Sequence, residues 1–401
     1  MSKYVELNEK TVIDYVNSKM EFFRPDAEYV CNEIGDGNLN LVFRVKDTKN
    51  NKSVIVKQAL PYVRAAGEDW PLDIGRGEIE SHILDIEYKL TDGLVPKVYF
   101  YDTDMYCMAM EDLDNYIIMR YGLLDYIQYP EFADQISDFL VKTLLLTSDV
   151  VMEHKEKKES VKEFINPELC EITEDLVYTE PFHIGARNNM EEAIVKFHQE
   201  EIVDDEELAR EVAKLKFDFM NNAQALLHGD LHTGSIFVNQ DSTKVIDPEF
   251  AFYGPMAYDI GALIANLIMN YISTKASLEE GELRQKHEAF LLDAIREVID
   301  QFKAKSLEIW DEVVTDKMAK AKGFKEYYIN DVLVNTAGVT GCEMIRRTVG
   351  FAHVKDLDGI ADDTKRIKAK KDNMHLAKVL IKNRAEIVTG EEYLRLIEKY
   401  L

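Results

Sequence analysis

The chain has 401 residues, 46% of them hydrophobic and 10% aromatic, enough apolar material for a buried core spread over two lobes, which excludes intrinsic disorder. Lysine and arginine total 48 against 74 aspartate and glutamate, a formal charge of −26, so neither nucleic acid nor an anionic membrane surface is an expected partner. An anionic substrate would need a local positive island within that negative field.

The amino terminus has no apolar stretch of secretory type, and the most apolar run, 260–272, is too short to span a bilayer and carries Asn266 and Asn270. Cys31, Cys107, Cys170 and Cys342 form no C-x-x-C pair, which points to a reduced, cytoplasmic protein. In chain order, a helix is predicted over 11–20. It is followed between 28 and 111 by short β-branched and aromatic runs at 29–31, 41–45, 54–57, 98–101 and 105–110 that read as strands. A helix over 78–90, with apolar Ile79, Ile83, Leu84, Ile86 and Leu90, interrupts them. After Glu111-Asp112-Leu113 the periodicity turns helical, over 132–151, 190–198, 206–227, 257–271, 288–302 and from about 308 to the end. The stretch 153–159 mixes charge signs and reads as a solvated helix face. The expected fold is α+β and protein-kinase-like: a small β-rich N-lobe, 1–112, that binds nucleotide, and a larger, mainly helical C-lobe, 113–401, that carries the catalytic loop, the metal loop and the substrate site.

Within that frame, Gly35-Asp36-Gly37-Asn38 sits between two predicted strands, where backbone N–H groups can approach phosphate without a Cβ in the way. A dinucleotide glycine turn would open a helix instead. Asn40 stands where a kinase loop has its third glycine. Lys57 ends the strand run Val54-Ile55-Val56-Lys57, placed to hold phosphates, and Glu80 on the next helix could orient it. The strongest signal is the pair of segments His228-Gly229-Asp230-Leu231-His232-Thr233-Gly234-Ser235 and Asp247-Pro248-Glu249. Asp230 is positioned as the acceptor of a hydroxyl proton, and Asp247, 17 positions later, as a Mg²⁺ ligand. Ser235 occupies the position of the kinase asparagine ligand. Glu249 adds a hard oxygen that can compensate for the weaker serine hydroxyl. His228 and His232 read as structural props. Asp259 reads as an anchor for catalytic-loop N–H groups, or as an ordinary helix cap. Gly229 replaces the arginine of phosphorylation-controlled kinases, and only 12 positions separate Asp247 from Asp259, so the acceptor is expected to be a small molecule.

These segments, together with Gly67-Glu68-Asp69-Trp70-Pro71-Leu72 and the pair Arg346-Arg347, resemble the 5-methylthioribose kinase family, from residue 33 to residue 347. The resemblance implies kinship with aminoglycoside and choline phosphotransferases. It also implies ATP and Mg²⁺ as cofactors, 5-methylthioribose as the substrate phosphorylated at its anomeric hydroxyl in methionine salvage, and a homodimer. By position, Gly35, Asp36, Gly37, Asn38, Asn40 and Lys57 would serve the nucleotide phosphates, and Glu111 and Leu113 the adenine. Asp230 would be the base, Asp247 and Glu249 the metal ligands, Arg346 and Arg347 the contacts to substrate and transferred phosphoryl group, and Trp70 part of a covering loop. Independently of the family, the arginine pair is the positive island the net charge calls for. Adjacent helical residues diverge by roughly 100°, so both converge on one ligand only near a helix end, which Thr348-Val349-Gly350 permits. The competing readings are a kinase for another small alcohol (homoserine, choline or an amino sugar) and a non-catalytic nucleotide-binding scaffold. The joint presence of Lys57, Asp230 and Asp247 speaks against the scaffold.

Overall fold

The computed structural model describes residues 4–34, 39–63 and 67–401. Helix α1 (Thr11–Lys19) precedes strands β1 (Tyr29–Glu33), β2 (Asn40–Asp47) and β3 (Lys52–Ala59), the short antiparallel pair β4 (Tyr62–Val63) and β5 (Gly67–Pro71), helix α2 (Arg76–Leu90), and strands β6 (Val98–Asp102) and β7 (Cys107–Glu111). An antiparallel sheet runs in the order β1-β2-β3-β7-β6. Val54 and Val56 of β3 pack with Phe43 and Val45 of β2 and with Val12 and Val16 of α1 in one apolar cluster. The two-residue period of a strand therefore turns Lys57 to the opposite face, toward α2.

The rest of the chain comprises β8 (Ile117–Ile118), α3 (Met119–Leu124), α4 (Phe132–Leu140), α5 (His154–Glu163), α6 (Pro167–Leu176), α7 (Glu192–His198), α8 (Glu206–Asn221), β9 (Ala225–Leu227), β10 (Ile236–Val238), β11 (Thr243–Val245) and β12 (Phe252–Gly254), then α9 (Ala257–Ser277), α10 (Glu282–Val313), α11 (Phe324–Val349), α12 (Lys355–Asp358), α13 (Asp363–Lys382) and α14 (Gly390–Tyr400). The expected α+β arrangement is present: a small antiparallel sheet near the N-terminus and a larger helical C-terminal region. The apolar run at 260–272 lies in α9, which is buried from Ala257 to Thr274 and packed by α10, α11 and α13. A helix apolar on all sides belongs at the centre of a core. Its asparagines are satisfied there, Asn266 Nδ2 donating to the Ala262 carbonyl (2.9 Å) and Asn270 Nδ2 to Asp356 Oδ1 (2.7 Å).

Three expectations need correction. The helix predicted over 206–227 stops at Asn221, because 225–227 pairs with β12 as β9, which feeds the catalytic loop. The helix predicted over 132–151 leaves α geometry after Leu140 in a π-turn over Val141–Leu145. The charged run 153–159 is helical, but Lys157 within it is buried. Its Nζ donates to the carbonyls of Thr147 (3.2 Å) and Gln224 (2.7 Å) and sits 4.3 Å over the Tyr253 ring. Burial pulls its pKa down to about 8.

Candidate active site

β9 runs directly into the loop His228–Ser235, which the side chains of Asp259 and His228 and the backbone of Gly229 fix in place. Asp259, at the start of α9, accepts the N–H groups of His228 (2.8 Å) and Gly229 (3.0 Å), the anchoring role its position predicts. His228 bridges to the metal loop, its Nε2 lying 2.8 Å from the Ile246 carbonyl, while its Nδ1 accepts the Asp230 N–H (3.2 Å). Gly229 has φ +83°, and a Cβ there would collide with the Phe250 carbonyl. Glycine is thus required where a phosphorylation-controlled kinase has arginine. Gly229→Ala is expected to cost roughly 2–4 kcal/mol of stability, combining left-handed strain with a backbone clash. An unchanged urea midpoint would refute this account of the loop.

His232 is a prop with a defined tautomer. Its Nδ1 accepts the N–H groups of Gly234 and Ser235, both at 3.1 Å, so the ring proton resides on Nε2, 3.5 Å from Asp230 Oδ2. Burial first, then the guanidiniums of Arg120, Arg347 and Arg346, press its pKa well below the usual histidine value, and the ring stays neutral. Ser235 Oγ donates to the Asp230 carbonyl (3.0 Å).

Arg346 and Arg347 lie in the last turn of α11, which ends at Val349. Both are largely buried, yet each brings Nη2 to 3.8 Å from Asp230 Oδ1. They converge because both are gripped from behind: Glu343, 1% exposed, accepts Arg346 Nε (2.6 Å) and Arg347 Nε (2.8 Å) on its two oxygens. Burial alone would push the Glu343 carboxyl up, but the paired guanidiniums hold it below its ordinary value. A third guanidinium completes the island. Arg120 donates to Asn266 Oδ1 (3.1 Å), lies 3.8 Å from Asp356 Oδ2, and packs so tightly on Gly234 that a Cβ there would meet its Nη1 at 2.8 Å.

On the opposite side of the cleft, Lys57 Nζ bonds Glu80 Oε1 (2.7 Å) and Asp247 Oδ1. Asp247 adopts φ +69°, a left-handed conformation that aspartate tolerates better than most residues. Glu80, Asp247 and Glu249 present carboxylate oxygens all within 4.8 Å of one another. Lys57 is the ammonium among them. Burial, reinforced by the neighbouring carboxylates, raises the pKa values of Glu80 and Glu249, whereas these acids keep Lys57 charged despite its burial. This under-neutralised set of hard oxygens has the chemistry of a divalent-cation site. Asn40, the first residue of β2, donates from Nδ2 to Glu249 Oε2 (2.8 Å). The other predicted phosphate contacts, Gly35, Asp36, Gly37 and Asn38, lie outside the described residues.

The junction Glu111-Asp112-Leu113 leads out of β7 toward β8. Asp112 is not free to bind a ligand, since Arg44 of β2 grips both its oxygens at 2.8 Å. The Leu113 carbonyl accepts the Tyr116 N–H (3.0 Å). Trp70 falls on β5.

Sequence reasoning missed Glu343, Arg120 and the commitment of Asp112 to Arg44. Glu343 had a readable signal, lying three and four residues before the arginines on one helix. The others owe their positions to contacts between distant segments.

Residues 30–298 match the model of the phosphotransferase enzyme family. The methylthioribose kinase of Bacillus pumilus is 41% identical over 99% of this chain and 98% of its own length. That of Geobacillus thermodenitrificans is 43% identical over 94% and 93%. Among solved structures, choline kinase from Cryptosporidium parvum has a TM-score of 0.50 over 94% of this chain and 99% of that one; at 14% identity it shares the fold.

Proposed function

Because this chain belongs to the methylthioribose kinases of the phosphotransferase enzyme family, we propose that it transfers the terminal phosphoryl group of ATP to the anomeric C1 hydroxyl of 5-methylthioribose in methionine salvage. The observation that carries this reading is the convergence of Arg346, Arg347 and His232 on Asp230, across the cleft from Lys57 and the carboxylate cluster.

Asp230 accepts the proton of the attacking hydroxyl. The His232 Nε2–H and the two guanidiniums face its two oxygens, fixing the orientation of the carboxylate. Once Asp230 is neutral, the arginines are left with less opposing charge and are available to the phosphoryl oxygens, where charge accumulates. Lys57 turns from Asp247 to the nucleotide phosphates, with Glu80 holding its other side. The Leu113 carbonyl being occupied, its N–H and the Glu111 carbonyl are the groups offered to adenine. Asp247 and Glu249 hold Mg²⁺, which when bound offsets the charge of the nucleotide phosphates. Ser235 is the weakest member of that set, its hydroxyl being committed to the Asp230 carbonyl. Glu249→Ala is accordingly expected to raise the Mg²⁺ half-saturation concentration more than Ser235→Ala does, and equal values for the wild type and Glu249→Ala would remove Glu249 from the site.

Homodimeric assembly is carried over from the family resemblance. A cytoplasmic location is supported by four cysteines that are all free thiols, and among the described residues no helix is long and apolar enough to cross a membrane. The test of the substrate assignment is ADP release across a panel of 5-methylthioribose, choline, homoserine and amino sugars. Turnover is expected with the thiosugar, and preference for another alcohol would replace the substrate while leaving the kinase.

A further inference from the structure

Arg76 opens α2 and belongs to no motif legible in the sequence. Its side chain is 2% exposed, and its guanidinium gathers four segments. Nη1 donates to the carbonyls of Leu60 (2.8 Å) and Asp73 (3.0 Å), and Nη2 to the Leu39 carbonyl (2.8 Å) and Asn40 Oδ1 (3.0 Å). The remaining N–H, on Nε, has no hydrogen-bond partner among the described residues and lies 3.5 Å from Glu249 Oε2. Asn40, oriented by Arg76 through its amide oxygen, donates to that same Oε2 (2.8 Å).

Asn40 replaces the third glycine of a kinase phosphate loop, and Glu249 replaces the glycine that follows the metal aspartate by two positions. Two glycines could make no side-chain contact. Here the two departures meet across 209 residues of sequence as one hydrogen-bonded unit, with Arg76 behind it.

We propose that Arg76 is a positioning residue for the cation site: with Asn40 it fixes Oε2 of Glu249, leaves Oε1 for the ion, and ties the phosphate-loop strand to the metal loop. The inference rests on the reading of Glu249 as a cation ligand and extends it to the groups that aim it. A fork of planar donors is needed, because one side chain must serve three carbonyls, an amide oxygen and a carboxylate at once, which a lysine ammonium cannot do. Outer-shell donors of this kind are typically worth about 10–100-fold in metal affinity.

The test is the dissociation constant of Mn²⁺, measured by electron paramagnetic resonance on the full chain saturated with ADP. Arg76→Met is expected to weaken Mn²⁺ about 10–100-fold and Arg76→Lys by less, with kcat largely recovered at saturating metal. A merely structural arginine would lower the melting temperature without moving the Mn²⁺ constant, and that result overturns the proposal. Should Arg76→Met not fold, Asn40→Ala decides. It leaves the other bonds of Arg76 in place and is expected to weaken Mn²⁺ roughly 3–10-fold, whereas an unchanged constant again overturns the proposal. Glu249→Gln separates the two levels. If Glu249→Gln loses Mn²⁺ while Arg76→Met and Asn40→Ala bind it normally, only the positioning role fails. If Glu249→Gln itself binds Mn²⁺ like the wild type, the ligand assignment fails and takes the proposal with it.

Discussion

Asp230→Asn is expected to lower turnover by roughly 10²–10⁴, the usual worth of a positioned general base, while leaving nucleotide affinity and the melting temperature near their wild-type values. Nucleotide contacts are assigned to the opposite side of the cleft, around Lys57 and the Glu111–Leu113 junction, so binding is insulated from the change. Folding is insulated too, since the loop is held by Asp259, His228 and the left-handed Gly229 rather than by the Asp230 carboxylate. Single-turnover kinetics are the clean measurement, because they isolate chemistry from product release. Near wild-type rates would mean that another group takes the proton or that none is needed.

Arg346→Ala and Arg347→Ala are each expected to reduce kcat/KM by about 10³ or more, in the range of an arginine that stabilises a transferring phosphoryl group. Unlike surface arginines, these are buried, and each removal deprives the buried Glu343 of one of its two partners, so stability should also fall by about 1–3 kcal/mol. Lysine discriminates between the two effects. The Nε of each arginine is bonded to Glu343 while its Nη2 faces Asp230, and a single ammonium cannot occupy both ends of that fork. Arg347→Lys should therefore recover more of the melting temperature than of kcat/KM. Wild-type kinetics in both alanine variants would reduce the pair to a structural role and withdraw the main substrate-side support for a thiosugar kinase.

What was legible in the sequence was local or carried by motif. The strands around Lys57 follow from short β-branched and aromatic runs bounded by turn residues, and the contacts of Asp259 with His228 and Gly229 decide between the two readings its position allowed, loop anchor and ordinary helix cap. The convergence of Arg346 and Arg347 was foreseeable from the nearby helix end, and the Glu343 that enforces it was one turn away. The strand at 225–227 was not separable from the preceding helical pattern, because Leu226 and Leu227 suit either state and only pairing with β12 decides. Lys157 defeated the charge-pattern reading since its partners, the carbonyls of Thr147 and Gln224 and the Tyr253 ring, come from three other segments. The Arg76–Asn40–Glu249 unit was invisible for the same reason: its members are ordinary residues until the phosphate-loop strand and the metal loop are brought together.

The central claim is that the cleft directs phosphoryl transfer from ATP to the anomeric oxygen of 5-methylthioribose. Its most direct test is the phosphorus NMR spectrum of the reaction with Mg²⁺, ATP and 5-methylthioribose. The account predicts one new phosphomonoester signal coupled to the anomeric proton, growing in step with ADP and absent with Asp230→Asn over the same interval. A phosphoester at another carbon, or ADP formed with only inorganic phosphate beside it, would contradict it.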